Sequence, residues 1–125
     1  VSYIVGPFVA YPVLQGSALN AETGALTLNW TSTGGPTVHY TRLNVAGQKY
    51  GPTFWTLIVD GDVNSVVLPN LTTLAGLAGL GTGTRSVEIQ RVRNKIFDIN
   101  DYRSRQFGIY HRTSWATDRL EFYAP

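Results

Sequence analysis

Few residues of this 125-residue chain are suited to acid–base, nucleophilic or metal chemistry. The only histidines are His39 and His111, and there is no cysteine. The lack of cysteine excludes a thiol nucleophile, a disulfide framework and a thiolate zinc site. A serine triad needs a nucleophile, a base and an orienting acid, yet no serine here stands in a Gly-x-Ser-x-Gly elbow. We therefore predict that the protein is not an enzyme and uses no cofactor.

The closest pair of carboxylates lies in residues 60–64, which read Asp-Gly-Asp-Val-Asn. Alternating oxygen ligands of this kind begin calcium loops, but an EF-hand would place glycine at Ser65 and glutamate at Leu71. Asp-Gly is also a strong hairpin dipeptide, so we favour a turn. A looser oxygen site is a weak alternative, with the candidate metal ligands Asp60, Asp62 and Asn64, joined by Asp98, Asn100 or Asp101.

The composition and periodicity of the chain predict an all-β protein. Thirteen glycines, six prolines and only 14% charged residues are typical of strands and turns, not of a helical bundle. Short segments of alternating apolar and polar residues recur about every ten residues, with turn signals between them, which predicts an antiparallel β-sandwich of seven to eight strands. The predicted strands cover residues 25–31, 38–45, 53–59, 65–68, 86–93, 110–113 and 118–123.

Two further segments complete the predicted organisation of a single domain, residues 1–125. Leucines three residues apart between Leu71 and Leu77 indicate one short helical insert near 71–78. The apolar segment 1–14 contains Pro7 and Pro12, which argue against a continuous helix. It is interpreted either as a first strand within the sandwich or as a segment that docks on a partner.

Charge and hydropathy limit the classes of partner. The net charge is +2, and eight of the ten basic residues lie between Arg85 and Arg119, interspersed with four acidic residues. This mixture is typical of a solvated strand face, so we do not expect nucleic-acid binding. No stretch of about 18 apolar residues exists, so the sequence predicts no membrane span of its own.

Fifteen aromatic residues are the richest feature of the sequence. Trp30 alternates with Leu26 and Leu28 and is expected in the core. Phe54 and Trp55 are strand neighbours, which point to opposite faces, so one of them should be exposed. Trp115 is expected in a bend. Exposed aromatic and arginine side chains suit protein interfaces, and exposed aromatic rings also suit sugar stacking, so a bound glycan is a second hypothesis.

The order of motifs resembles the fibronectin type III-like fold. The segment Leu-Thr-Leu-Asn-Trp at 26–30 precedes a hydrophobic strand, then Leu-Pro-Asn-Leu at 68–71 and a long strand at 86–93. Residues 54–71 and 97–102 resemble such domains in secreted surface proteins of Gram-negative bacteria. The resemblance, over residues 24–123, implies a spacer, an adhesive surface or an assembly unit without catalytic activity. The tyrosine usual before the long strand is absent here.

The chain also resembles the separately encoded globular companion of a truncated type IV pilin. In that arrangement a partner supplies the long apolar helix, while this chain supplies the β-rich head. The sequence begins at Val1 and contains no methionine, so we expect a processed product or an excised fragment. The resemblance implies a secreted or periplasmic protein on the extracellular surface of a Gram-negative bacterium.

The sequence therefore predicts an assembly or structural subunit that acts by protein–protein contact. Its partner is expected to be a hydrophobic helical pilin or another copy of itself. A carbohydrate-binding or adhesion module is the alternative. The candidate partner-binding residues are Val1, Tyr3, Ile4, Val5, Phe8, Trp55, Tyr102, Arg103, Arg105 and Tyr110.

Overall fold

The computed structural model describes residues 8–20, 22–47, 53–70, 83–101, 103, 107 and 111–124. This part of the chain contains seven strands and confirms the all-β prediction. The strands are β1 (Val13–Leu19), β2 (Leu26–Thr31), β3 (Tyr40–Ala46), β4 (Thr53–Asp60), β5 (Ser65–Leu68), β6 (Gly83–Asn94) and β7 (Arg112–Ala124). The predicted helical insert at 71–78 lies outside the described residues.

The strands form two antiparallel sheets that pack as a β-sandwich. The three-stranded sheet has the order β1-β2-β5, and the four-stranded sheet has the order β4-β3-β6-β7. In the constant-type immunoglobulin arrangement, the fourth strand joins the sheet of the first, second and fifth strands. Here β4 pairs with β3 instead, so β4 and β7 are the two edges of the larger sheet.

The core between the sheets follows from two-residue alternation. Leu26, Leu28 and Trp30 are buried, whereas Asn29 and Thr31 are exposed, which confirms the predicted core position of Trp30. Every second residue of the facing strands contributes its side chain to the core, because successive side chains of a strand point to opposite faces. The buried hydrophobic cluster comprises Leu14, Leu26, Leu28, Trp30, Leu43, Val45, Leu68, Val87 and Ile89.

Two strand predictions were wrong in their bounds. The first strand begins at Val13, so residues 8–12 precede it and are not part of any strand. The two predicted strands at 110–113 and 118–123 form one strand, β7, which pairs with β6 from Arg112 to Ala124. Trp115 therefore lies within a strand and not in a bend.

The segment after β4 is a turn, as predicted, but it is not a hairpin. It joins β4 of one sheet to β5 of the other. The amide of Val63 donates to the carbonyl of Asp60, and the Asp60 side chain accepts a hydrogen bond from the amide of Asp62 (3.1 Å each). Gly61 is needed for space, because a Cβ atom there would collide with the carbonyl of Val38.

Candidate functional site

The predicted N-terminal contact residues fall mostly outside the described part of the chain. Val1, Tyr3, Ile4 and Val5 are not described, whereas Phe8 is 77% exposed. The side chain of Phe8 is therefore available for contact.

Trp55 and Trp115 occupy different environments. Trp55 is half-buried and packs against the core cluster from β4. Trp115 is 58% exposed on β7, although the residue opposite it, Val92, is fully buried. Of the two tryptophans, Trp115 thus offers the more accessible ring to a partner or a sugar.

Of the predicted contacts in the segment between β6 and β7, only Arg103 is described. Tyr102, Arg105 and Tyr110 lie outside the described residues. Arg103 is exposed and forms an ion pair with Asp101, with Nη2–Oδ2 and Nε–Oδ1 distances of 3.0 and 3.2 Å. An exposed pair of this kind adds little stability.

The weak metal candidates belong to turns. Asp60, Asp62 and Asn64 are exposed, and the Asp60 carboxylate already accepts the Asp62 amide. Asp98 similarly accepts the amide of Asn100 at 2.9 Å. Within the described ranges, no three His, Asp or Glu side chains lie close enough together to hold a metal ion.

Both histidines connect segments near the start of β3. The Nδ1 atom of His39 accepts a hydrogen bond from the Asn94 amide at 2.7 Å, and the His111 carbonyl accepts one from the Lys95 amide at 2.9 Å. A nitrogen that accepts in this way is not available as a general base. The contact of His39 instead ties β3 to the end of β6.

An aromatic cluster on the outer face of the four-stranded sheet was missed by sequence reasoning. Tyr40 lies on the opposite face of β3 from core residue Leu43, yet it is fully buried. Its ring packs against Phe97 and Phe107, with centroid distances of 4.8 and 5.2 Å. The only available signal was the pair of phenylalanines in a segment otherwise rich in polar residues.

A row of polar residues on the outer face is hydrogen-bonded across all four strands. Thr56 of β4 donates to Asn44 of β3 at 3.0 Å, and Asn44 donates to Glu88 of β6 at 3.4 Å. Glu88 is paired with Arg119 of β7 at 2.6 Å. These four residues lie in one register row, so the hydrogen bonds follow the strand pairing and hold the face in place.

Asp118 of β7 closes one side of the sandwich. Its two carboxylate oxygens accept hydrogen bonds from the Tyr11 hydroxyl (2.8 Å) and the Leu14 amide (3.1 Å). Burial raises the pKa of Asp118, but hydrogen bonds from Leu14, Tyr11 and the Arg119 backbone outweigh it and lower the pKa overall. The hydrogen bond to Asp118 raises the pKa of the Tyr11 phenol. Asp118 therefore joins β7 to β1 across the two sheets.

Three of the four edge strands carry features that discourage pairing with another chain. β5 has only four residues and is followed by Pro69. β1 follows Pro12 and has a bulge after Leu14. β7 contains several charged residues, including inward-facing Asp118. Short length, proline, bulges and charges are the usual protections of a sheet edge.

The fourth edge, β4, has none of these protections over residues 55–59. Its sequence, Thr-Phe-Trp-Thr-Leu-Ile-Val-Asp, has no proline and a single charge, at its last residue Asp60. The one irregularity in its pairing with β3 lies between Thr53 and Trp55, so residues 55–59 are regularly paired. In the described part of the chain, the backbone of residues 55–59 makes no hydrogen bond away from β3. This open edge (residues 55–59 of β4) is the most distinctive candidate contact surface.

Comparison of the chain with protein-family models, curated proteins and solved structures returned no match. Across the described ranges, no helix has the length and apolar character needed to cross a membrane.

Proposed function

We propose that this protein is a non-enzymatic structural subunit that assembles by protein–protein contact on the bacterial cell surface. The single observation that carries the proposal is the open edge of β4. In the described part of the chain, the amide and carbonyl groups of residues 55–59 that point away from β3 have no partner, and only another extended strand can bind to all of them.

The occupant of the open edge is a second copy of the same strand. Antiparallel pairing about Leu57 places Trp55 of each copy opposite Val59 of the other, on the same face. All three side chains are half-buried in the single chain, so pairing removes more of their apolar surface from water. No charged side chain lies between Thr53 and Val59, so two copies bring no like charges together.

The finer parts of the proposal rest on resemblance. The order of motifs supports a fibronectin type III-like domain, and the seven strands in sheets of three and four agree with that family. Such domains of secreted Gram-negative surface proteins support a secreted or periplasmic location. A gene for a short helix-only pilin beside this one would support pairing with a type IV pilin.

The test is the dependence of mass on concentration, measured by analytical ultracentrifugation. We expect a dimer that dissociates on dilution. Thr56→Lys places a charge on the exposed side of β4 and should weaken the dimer at least tenfold. Thr113→Lys makes the same change on exposed Thr113 of β7 and should leave the dimer intact. A chain that stays monomeric at millimolar concentration would contradict the proposal.

A second candidate function, carbohydrate binding or adhesion, is favoured by the exposed rings on β7. Trp115 and Tyr123 are 58% and 71% exposed. Trp30 is buried and Trp55 is half-buried, so a change in tryptophan fluorescence on glycan addition should come mainly from Trp115. Trp115→Phe should remove that change. An unaltered spectrum across a broad glycan panel would eliminate this function.

A further inference from the structure

Two segments at one end of the sandwich each combine an exposed apolar side chain with exposed charge. The acidic turn (residues 60–64) joins β4 to β5 and carries Asp60, Asp62 and Val63, of which Val63 is 37% exposed. The basic segment (residues 95–96) follows β6 and carries Lys95 and Ile96, of which Ile96 is 45% exposed. Within the described ranges, none of these three charged side chains forms an ion pair. Both segments can therefore offer an apolar and a charged contact to another molecule.

His39 holds both segments in place. Its carbonyl accepts a hydrogen bond from the Gly61 amide at 3.2 Å, and its Nδ1 atom accepts one from the Asn94 amide at 2.7 Å. The Ile96 amide in turn donates to the Asn94 side chain at 2.9 Å. The exposed side chains of the two segments thus start from well-held backbone positions, which reduces the entropy lost when they are bound.

The two segments carry opposite charges at different positions across the end of the four-stranded sheet. The acidic turn follows the edge strand β4, the basic segment follows β6, and β3 lies between these strands. Neighbouring strands are about 4.8 Å apart, so the two segments start roughly 10 Å apart. A twofold axis perpendicular to the sheets would place the acidic turn of each copy against the basic segment of the other. This end of the sandwich is therefore complementary in charge to a second copy of itself.

Other occupants fit this end less well. An anionic lipid surface or a nucleic acid would be repelled by the exposed carboxylates beside Val63. An uncharged apolar partner would cover Val63 and Ile96 but would leave Asp62 and Lys95 desolvated without compensation. A second copy of the chain compensates both charges and covers both apolar side chains.

We propose that this end of the sandwich is a second self-contact surface, where Asp62 and Val63 of one copy meet Lys95 and Ile96 of another. The contact itself does not depend on β4, but growth of an assembly rests on the proposed pairing through the open edge. A pair formed through β4 uses both open edges and is closed. The twofold axes of both contacts run across the thickness of the sandwich, so together they repeat by translation and build an open chain.

The end contact is expected to be weaker than the pairing through β4. Two short segments from each copy make a small contact, and interfaces that bury less than about 1,200 Å² in total are typical of weak, transient complexes. Species larger than a dimer should therefore appear only at concentrations above those that complete the β4 pair.

Analytical ultracentrifugation of Thr56→Lys isolates the end contact, because pairing through β4 is weakened in this variant. We expect Thr56→Lys to dimerise at high concentration, where the wild type forms tetramers and larger species. Adding Asp62→Lys should weaken the remaining dimer about fivefold or more, since the twofold axis alters two charge pairs at once. Adding Lys95→Glu as well should restore the dimer, because the reversed charges again face each other.

A matched control makes the same change of charge at the opposite end of the sandwich. Glu22 is exposed in the turn between β1 and β2, and Glu22→Lys in the Thr56→Lys background should leave the dimer unchanged. An equal loss of dimer with Glu22→Lys and Asp62→Lys would show an effect of net charge alone and would overturn the proposal. Failure of Lys95→Glu to restore the dimer would overturn the proposed arrangement as well.

The same measurements separate the two contacts. Thr56→Lys that stays monomeric at millimolar concentration, with a wild type that stops at the dimer, would overturn the end contact and leave the β4 pairing intact. Dimers of equal affinity in the wild type and Thr56→Lys would support the end contact and contradict the β4 pairing. Binding of monomeric Thr56→Lys to vesicles of anionic phospholipid, reduced by Lys95→Glu, would assign this end to a membrane and overturn the self-contact.

Discussion

The two edges of the four-stranded sheet are built in opposite ways. β7 is thirteen residues long, carries charged residues and is joined to β1 through Asp118. β4 is eight residues long and has one charge, at its end. The two edges therefore differ in what holds them: β7 is tied to β1 by side-chain contacts, whereas residues 55–59 of β4 pair only with β3 in the described part of the chain.

The largest expected effect concerns the closed edge. Asp118→Ala leaves the Leu14 amide without its acceptor and detaches Tyr11. Loss of these hydrogen bonds should lower the free energy of unfolding by about 1–3 kcal/mol, measured by urea denaturation. Asp101→Ala, which removes an exposed ion pair with Arg103, should cost no more than about 0.5 kcal/mol. Equal losses would show that β7 is not held by Asp118.

The contribution of Asp118 should depend on pH. Its pKa is lowered by folding, so its stabilisation is fully present above the unfolded value of about 4 and declines as the pH falls through the folded value. The difference in free energy of unfolding between the wild type and Asp118→Ala should therefore be constant near neutral pH and shrink in acid. A difference that stays constant down to pH 2 would contradict the carboxylate's role.

The smallest expected effect concerns the open edge. Thr56→Lys, measured at a concentration where the protein is monomeric, should change the free energy of unfolding by no more than about 1 kcal/mol, because the side chain is exposed and loses only its hydrogen bond to Asn44. The main effect of Thr56→Lys should be on the affinity of the proposed dimer. A large loss of stability in the monomer would show that the exposed side of β4 stabilises the fold. The proposed difference between the two edges would then be wrong.

The strands with their own alternation were predictable from sequence. β5 has the predicted bounds, and β2 differs by one residue. β7 was divided in two because residues 111–117 lack an apolar alternation, and the strand is defined instead by its long pairing with β6. β1 was misplaced for a similar reason, since it contains Gln15 and Gly16 and is held by β2. The alternation within β7 or β1 does not show that β6 or β2 will pair with it, so these strands could not be placed from their own residues.

Trp55 was named from the sequence as a contact residue, but the open edge around it was not predictable. An edge depends on which strands pair, and the sequence left that undecided. The expected turn after Asp60 was right, but only the three-dimensional structure shows that it changes sheets and leaves β4 at an edge.

Hydrogen exchange at two protein concentrations tests the central claim most directly. If β4 pairs with a second copy, amides within residues 55–59 should exchange more slowly as the concentration rises, while those of β7 should be unchanged. Thr56→Lys should remove the concentration dependence. Exchange in β4 that is equally slow at every concentration, in both the wild type and the variant, would contradict the account.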